Sequence, residues 1–236
     1  MVIMIHNTQI KLLFVSLLLV APAHSAEWNI TQSTALRNAP TMTQVNSANA
    51  KQAINGISVD LANDDVVNSL QNTLFGFSSI TMTQSGVDGN SSVQAVNLME
   101  GRSIQNALQA TTGFSSVTMT QDADLGGSNT QAANYAKADQ SIENLAQSAV
   151  GNRWNAAPQA AGSVQALNYA EASQYYGVIA QSAILFKLNA NLSAGELRVN
   201  SIQGGTGSAG LLVQSSFIKR VSTQGRGVLS INHVAP

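Results

Sequence analysis

Apolar and polar positions alternate along much of this chain, in short stretches that are bounded by glycine and recur at intervals. Residues 113–121 read GFSSVTMTQ, and residues 76–84 read GFSSITMTQ, 37 positions earlier, with one change between isoleucine and valine. Stretches rich in β-branched residues and bounded by glycine are typical of β-strands. A strand pattern that recurs almost unchanged predicts a repeat protein.

Three blocks recur in a fixed order and define the repeat. Thr-Met-Thr-Gln stands at 41–44, 81–84 and 118–121, and the fourth copy keeps only AAPQ at 156–159. Gln-Ala-x-Asn follows at 52–55, 94–97, 131–134 and 165–168, with spacings of 42, 37 and 34 residues. The third block reads NSLQN, NALQA, NLAQS and VIAQS at 68–72, 106–110, 144–148 and 178–182. The order is kept while the linkers vary, as expected for stacked structural units.

The Gln-Ala-x-Asn blocks fit a strand better than a helix. Strict alternation places Ala95, Asn97 and Met99 on one face and Gln94, Val96 and Leu98 on the other. A helix competes over residues 131–149, where Ile142, Leu145 and Ala149 recur at helical spacing without a breaker. Gly56 and Gly101 interrupt the equivalent segments of the first two copies. Because repeats share one conformation, we favour the strand.

The pattern therefore predicts an all-β fold, a β-solenoid of about four imperfect repeats of about 37 residues with a strand-rich C-terminal cap. Residues 26–40 form a lead-in and residues 41–186 the repeats. Residues 187–236 form a C-terminal β cap or extension, with strands expected at 183–195, 197–202, 211–224 and 227–233.

Equivalent residues of neighbouring solenoid turns lie about 4.7–4.9 Å apart, so repeated amides can stack as ladders that satisfy one another's donors and acceptors. The predicted ladder residues are Gln52, Asn55, Gln94, Asn97, Gln131, Asn134, Gln165, Asn168, Gln71, Gln109, Gln147 and Gln181. The predicted repeated strand comprises Thr41, Thr43, Gln44, Thr81, Thr83, Gln84, Thr118, Thr120 and Gln121. The alternative is that these are ordinary turn and surface residues.

The first 25 residues have the pattern of a secretory signal peptide. Lys11 precedes the apolar run LLFVSLLLVAPA at 12–23, and small residues follow at Ala23 and Ser25. We expect cleavage after Ser25 and a protein that is secreted through the periplasm to the cell surface or beyond. No second apolar run of spanning length follows, so no stable membrane insertion is expected.

Composition narrows the function classes. Only 10% of residues are charged, with 11 Lys and Arg against 12 Asp and Glu, which argues against nucleic-acid binding. The chain has 22 Asn, 20 Gln and no cysteine, so we expect repeated backbone pairing in place of disulfides. A net charge near zero removes the repulsion that keeps proteins apart and favours association.

At residues 68–101, NSLQNTLFGFSSITMTQSGVDGNSSVQAVNLMEG, the chain resembles the repeats of Fap functional-amyloid fibre subunits. Asn134-Tyr135-Ala136 with Gln140, and Asn168-Tyr169-Ala170 with Gln174, are similar to the closing half of the curlin repeat. The resemblance implies a secreted β-solenoid that polymerises into fibres of an extracellular biofilm matrix, as a major, minor or nucleating subunit. It also implies as partners the chain itself, a related fibre subunit and an outer-membrane secretion apparatus.

Catalytic chemistry is not predicted. One histidine, His233, remains after residue 25, and there is no cysteine, so we expect no catalytic residues, no metal and no cofactor. Asp64-Asp65 and Asp122 with Asp124 are read as solvated turns rather than calcium loops, and Gly204-Gly205-x-Gly207 as a turn. Lys219, Arg220 and Arg226 are interpreted as charges that guard a strand edge.

Two other functions stay open at this point. A soluble solenoid whose end is blocked by the tail would act as an adhesin or as an accessory, chaperone-like partner of a fibre subunit. Ranked Thr-x-Thr motifs also resemble the flat threonine arrays of some ice-binding proteins, although paired threonines are ordinary sheet residues.

Overall fold

The computed structural model describes residues 26–45, 49–85, 91–122, 128–207 and 209–235. The predicted signal peptide lies outside the described residues. These ranges contain no helix and fifteen strands. The strands are β1 (Glu27–Trp28), β2 (Thr31–Leu36), β3 (Thr41–Val45), β4 (Lys51–Ser58), β5 (Asp65–Val67), β6 (Leu70–Phe75), β7 (Ser79–Ser85), β8 (Val93–Gln121), β9 (Thr130–Pro158), β10 (Val164–Ala172), β11 (Tyr175–Tyr176), β12 (Ile179–Leu192), β13 (Glu196–Gly204), β14 (Leu212–Gly225) and β15 (Val228–Ala235).

Each of the first five turns has four strand segments, and equivalent segments of successive turns stack on one another; in the last turn a single bridge at Ala209 takes the place of the first segment. We call these stacks the short, Gln, Thr and Asn sides, in the order in which the chain visits them. In the first turn they are β1, β2, β3 and β4, respectively. A long strand can bend from one side to the next, and β8 contributes a segment to all four sides.

All pairings between turns are parallel, and their register aligns the sequence repeats. Asn97, for example, pairs with Asn55 of the turn below and with Asn134 of the turn above. The predicted all-β solenoid is therefore confirmed. The helical interpretation of residues 131–149 is wrong, since they lie within β9, which pairs in parallel with β8.

The stack continues through the C-terminal tail. β12 runs through residues 186–187 without interruption, and β14 pairs with it over its whole length. β13 and β15 add two further layers above β10 on the Asn side. Six layers are described on the Asn side, and the chain makes five complete turns between Asn55 and Asn232. The tail strands thus extend the solenoid.

Buried apolar residues form three clusters, two in the interior with polar ladders between them and a third on the outward face of the Asn side. Along the Gln side of β8 the inward residues run from Ala107 of one cluster, through Gln109 and Thr111, to Phe114 of the other. The cluster of Phe114, which we call the main apolar cluster, also holds Trp154, Met82 and Met119. Phe75 and Phe114 pack edge to face with ring centroids 6.4 Å apart, a geometry that aromatic pairs prefer.

Strict alternation on the Asn side is wrong at one position. The pairing passes from Ala95–Ala132 to Asn97–Asn134 and skips Val96. Val96 packs in the main apolar cluster, and Asn97 also points inward, where it bonds to Thr111. This break lets Gln94 and Asn97, three residues apart, both face the interior; a regular strand would place them on opposite faces.

Asparagines form the corner before the Gln side in three turns. Asn68, Asn106 and Asn144 have φ values of 50°, 52° and 53°. Asparagine is one of the few residues other than glycine that adopts this left-handed conformation readily. Their side chains stack, with Nδ2–Oδ1 distances of 3.1 Å and 2.9 Å, so the corner has an exposed ladder of its own.

Candidate functional site

One asparagine ladder runs through the whole described stack. Each Nδ2 donates to the Oδ1 of the asparagine one layer above, at 2.8–3.0 Å, along the column Asn55, Asn97, Asn134, Asn168, Asn200 and Asn232. The four middle members are completely buried. A buried amide is stable only when its donors and acceptors are paired, and the ladder supplies that pairing.

A glutamine ladder of equal length runs along the Gln side. Here each Nε2 donates to the Oε1 of the layer below, at 2.7–2.9 Å, along the column Gln32, Gln71, Gln109, Gln147, Gln181 and Gln214. The donors of this ladder therefore point in the opposite direction to those of the asparagine ladder.

Two shorter glutamine ladders end inside the stack. Gln52, Gln94, Gln131 and Gln165 form one, and Leu197 takes the next position. Gln44, Gln84 and Gln121 form the other, and Pro158 takes the next position. The predicted alignment of AAPQ with Thr-Met-Thr-Gln is therefore wrong by one residue, since Pro158 and not Gln159 pairs with Gln121. The uppermost Oε1 of each ladder, in Gln165 and Gln121, is buried without a partner among the described atoms.

The same amides also join the facing Asn and Gln sides across the interior. Asn134 Nδ2 donates to the backbone carbonyl of Ser148, 2.8 Å away on the Gln side. Gln147 Nε2 donates back to the carbonyl of Tyr169, 2.9 Å away on the Asn side. Because an amide nitrogen carries two hydrogens, one can continue the ladder while the other crosses the interior.

The repeated threonines lie on the outer surface of the Thr side. Thr41, Thr81 and Thr118 stack in one column, and Thr43, Thr83 and Thr120 in another. They are exposed or half-buried, while the methionines between them face the core. Above Thr118 the column continues as Asn155 and Asn189, whose amides bond at 2.8 Å. The threonine array therefore has three ranks.

Several ladder members were missed in the sequence, although a signal was present. Gln32 and Gln214 lie in ITQS and LVQS, which match IAQS at 179–182. Asn200 and Asn232 lie in LRVN and LSIN, which keep the asparagine but replace the glutamine by leucine. Hydroxyls also join the asparagine ladder, since Thr34, Thr73, Thr111 and Ser216 each donate to an asparagine Oδ1.

Two stacked tyrosines and two ion pairs lie on the outward face of the Asn side. Tyr135 and Tyr169 stack with centroids 5.1 Å apart and planes 4° apart. Burial raises the pKa of both phenols well above the ordinary value. Lys51 pairs with the buried Glu100 at 2.5 Å, and Lys137 with Glu171 at 2.7 Å. Both phenols and Lys137 line a cavity of about 480 Å³.

The acidic clusters and the edge charges have identifiable surroundings. The solvated-turn prediction is wrong for Asp65, which is buried in β5 and forms an ion pair with Arg102 at 2.5 Å. Asp64 accepts from the Trp28 indole at 3.3 Å. Asp124 lies outside the described residues. Within the described ranges no three His, Cys, Asp or Glu side chains are grouped so that they could hold a metal. Lys219 and Arg220 are exposed on the uppermost strand, with Lys219 Nζ 4.7 Å from the Phe186 ring centroid.

His233 lies on β15, at the upper end of the stack. Burial, and then the positive charge of Arg198, lower the pKa of its imidazole below the ordinary 6.5, against the opposing effect of Glu196. Its Nε2 is buried without a partner among the described atoms. Folding therefore favours the neutral imidazole.

We expect this histidine to make stability fall as the pH decreases from about 6.5. The unfolded chain takes up the proton more readily than the folded one in that range, and carboxylates remain ionised down to about pH 5.5. Urea denaturation midpoints at pH 7.5 and pH 5.5 measure the effect. The difference should shrink in His233→Gln. An equal difference in the two proteins would contradict the assignment.

Both long ladders run to the two ends of the described stack. Asn232 and Gln214 are on the uppermost strands, and Asn55 and Gln32 on the lowest.

The described residues include no helix that is long and apolar enough to span a membrane. No model of a known protein family, no curated protein and no solved structure matches this chain.

Proposed function

We propose that this protein is a secreted structural protein, an amyloid-like fibre subunit of an extracellular biofilm matrix that polymerises by stacking its β-solenoid. The observation that carries the proposal is the pair of amide ladders that run the full described length of the stack and stop only at its ends. Cross-β fibres are stabilised by the same parallel, in-register stacking of strands and amides.

The edges of the solenoid also support assembly. Strands β2 to β4 at one end and β14 and β15 at the other each have one neighbouring strand in the described structure. A strand edge with unpaired backbone groups is a template for another strand. A related fibre subunit with the same repeat would fit these edges as well as a second copy does, and an outer-membrane apparatus would export the chain.

The test is assembly of the purified protein. We expect a concentrated solution to form thioflavin-positive fibres whose diffraction shows the spacings of about 4.7 Å and about 10 Å of cross-β structure. Fragments of these fibres should shorten the lag phase of a fresh solution. A protein that stays monomeric for days at high concentration, with or without such fragments, would contradict the proposal and leave the soluble adhesin or accessory function in its place.

A further inference from the structure

The described stack starts and finishes at the same corner of the turn. The described chain starts on the short side with β1 and finishes on the Asn side with β15. The upper end therefore presents Gln, Thr and Asn sides from β14 and β15, and the lower end presents the same three sides from β2, β3 and β4. A lower end has the order of strands that the next layer above β14 and β15 would need.

We propose that the upper end of one copy binds the lower end of a second copy in ladder register, with Asn232 below Asn55 and Gln214 below Gln32. The inference rests on the proposed function, and it names the partner and the register of that assembly. Because the two surfaces differ, the contact is head to tail and leaves a free end of each kind, which produces an open filament rather than a closed dimer.

The asparagine ladder has one open donor and one open acceptor. Inside the stack, Asn97 Oδ1 accepts from both Asn55 Nδ2, at 2.9 Å, and Thr73 Oγ1, at 2.8 Å. At the lower end, Asn55 Oδ1 accepts only from Thr34 among the described residues. At the upper end, Asn232 Oδ1 accepts from Asn200, and its Nδ2 has no described partner. The donor of one end fits the acceptor of the other.

The glutamine ladder fits in the same arrangement with opposite polarity. Gln214 Nε2 donates downward to Gln181, and its Oε1 has no described partner. Gln32 Nε2 donates to the Gly56 carbonyl. In the next layer, Gln71 Nε2 donates both to a backbone carbonyl and to the glutamine below, and Gln32 could do the same with Gln214 of a second copy. Two upper ends facing each other would run their strands in opposite directions, so neither ladder could continue in register across the contact. The ladders thus select head-to-tail contact.

The apolar side chains that close the interior and His233 are compatible with this register. At each end the apolar residues that close the interior are only half-buried. They are Leu36, Met42 and Ile54 at the lower end and Ile218 and Leu229 at the upper end. On the outward side His233 would lie next to Gly56. A Cβ added to Gly56 would have one neighbouring atom within 4 Å, the Ala53 Cβ at 3.5 Å. The bulky imidazole therefore meets a position without a side chain.

Disulfide trapping tests the register, because the natural chain has no cysteine. Ala53 and Ser230 occupy the same outward column and would lie on adjacent strands across the junction. Ala53→Cys protein is mixed with Ser230→Cys protein under assembly conditions and then oxidised. The matched control replaces Ser230→Cys with Val228→Cys, which lies two residues away on the same side of β15, about 7 Å along the strand, beyond disulfide reach.

We expect about tenfold more mixed disulfide dimer with Ser230→Cys than with Val228→Cys, since parallel neighbours lie within the distance that a disulfide spans. The same samples are examined for fibres by electron microscopy. Fibres without this preference, or with Ala53→Cys dimers dominating, would overturn the register and leave the proposed function standing. An absence of fibres and oligomers in the unsubstituted protein would overturn both.

Discussion

Replacing Asn134 by leucine should lower the free energy of unfolding by about 3–5 kcal/mol, since each buried polar group left without a partner costs about 1–3 kcal/mol. Asn134 is completely buried in the middle of the asparagine ladder. It accepts from Asn97 Nδ2 at 2.8 Å, and it donates to Asn168 Oδ1 and to the Ser148 carbonyl, each at 2.8 Å. Leucine satisfies none of these groups.

The position within the ladder determines the size of this effect. At the top of a shorter ladder the chain itself places Leu197 above Gln165, which leaves one glutamine acceptor unpaired. A break in the middle separates the ladder into two parts and leaves both a donor and an acceptor without partners. We therefore expect Asn134→Leu to lower the free energy of unfolding by more than the unpaired acceptor at the end of a ladder does.

Chemical denaturation of the soluble monomer measures the change, with Asn191→Leu as the matched control. Asn191 is exposed on β12, outside the two long ladders, and surface substitutions of this kind usually change stability by less than about 0.5 kcal/mol. If the two variants unfold at the same denaturant concentration, the buried ladder does not stabilise the fold in the way described here.

The stacked fold was predictable because its signal is repetition. The near identity of residues 76–84 and 113–121 and the Asn55, Asn97 and Asn134 phase already require a common conformation. In-register parallel pairing is the arrangement that brings identical side chains together in every layer. The register of β8 on β9 follows this alignment along both long strands.

The inward direction of both amides in Gln-x-x-Asn was not predictable from strand periodicity. It depends on the local break at Val96, and this break has no sequence marker because the skipped position is Ile54, Val96, Ala133 and Leu167 in successive copies. What these residues share is an apolar side chain. Burial in the main cluster, together with the amide bonds to facing strands, stabilises the irregular backbone.

The last two layers were hard to recognise because their interior had changed its chemistry. Leu197 and Leu229 replace the glutamines of one ladder, so the signature of the repeat is lost while the inward position is kept. Such a replacement is compatible with the fold, since an apolar side chain in the core needs no hydrogen-bond partner. The asparagine ladder continues through both layers.

The second large effect is expected on assembly, from Asn232→Asp. Asn232 uses its Oδ1 as an acceptor for Asn200 and Ser216, at 3.0 Å each. Aspartate keeps that acceptor, so the stability of the monomer should change by less than about 0.5 kcal/mol. At the proposed junction, however, the lost Nδ2 donor is replaced by a carboxylate that faces the Asn55 acceptor. A charge buried without a partner should raise the critical concentration for fibres by about a hundredfold, or about 2.7 kcal/mol.

Asn191→Asp adds the same charge to an exposed position on the side of the stack, and it should leave the critical concentration near that of the unsubstituted protein. Acid gives a second control, because a protonated carboxyl has an O–H that can donate to Asn55, and carboxyls take up a proton near pH 4. Relative to the unsubstituted protein at each pH, Asn232→Asp should therefore recover assembly at pH 3. Equal effects of the two aspartates would mean that net charge, rather than a ladder donor at the upper end, controls polymerisation. A defect that persists in acid would show that the carboxyl does not meet an acceptor.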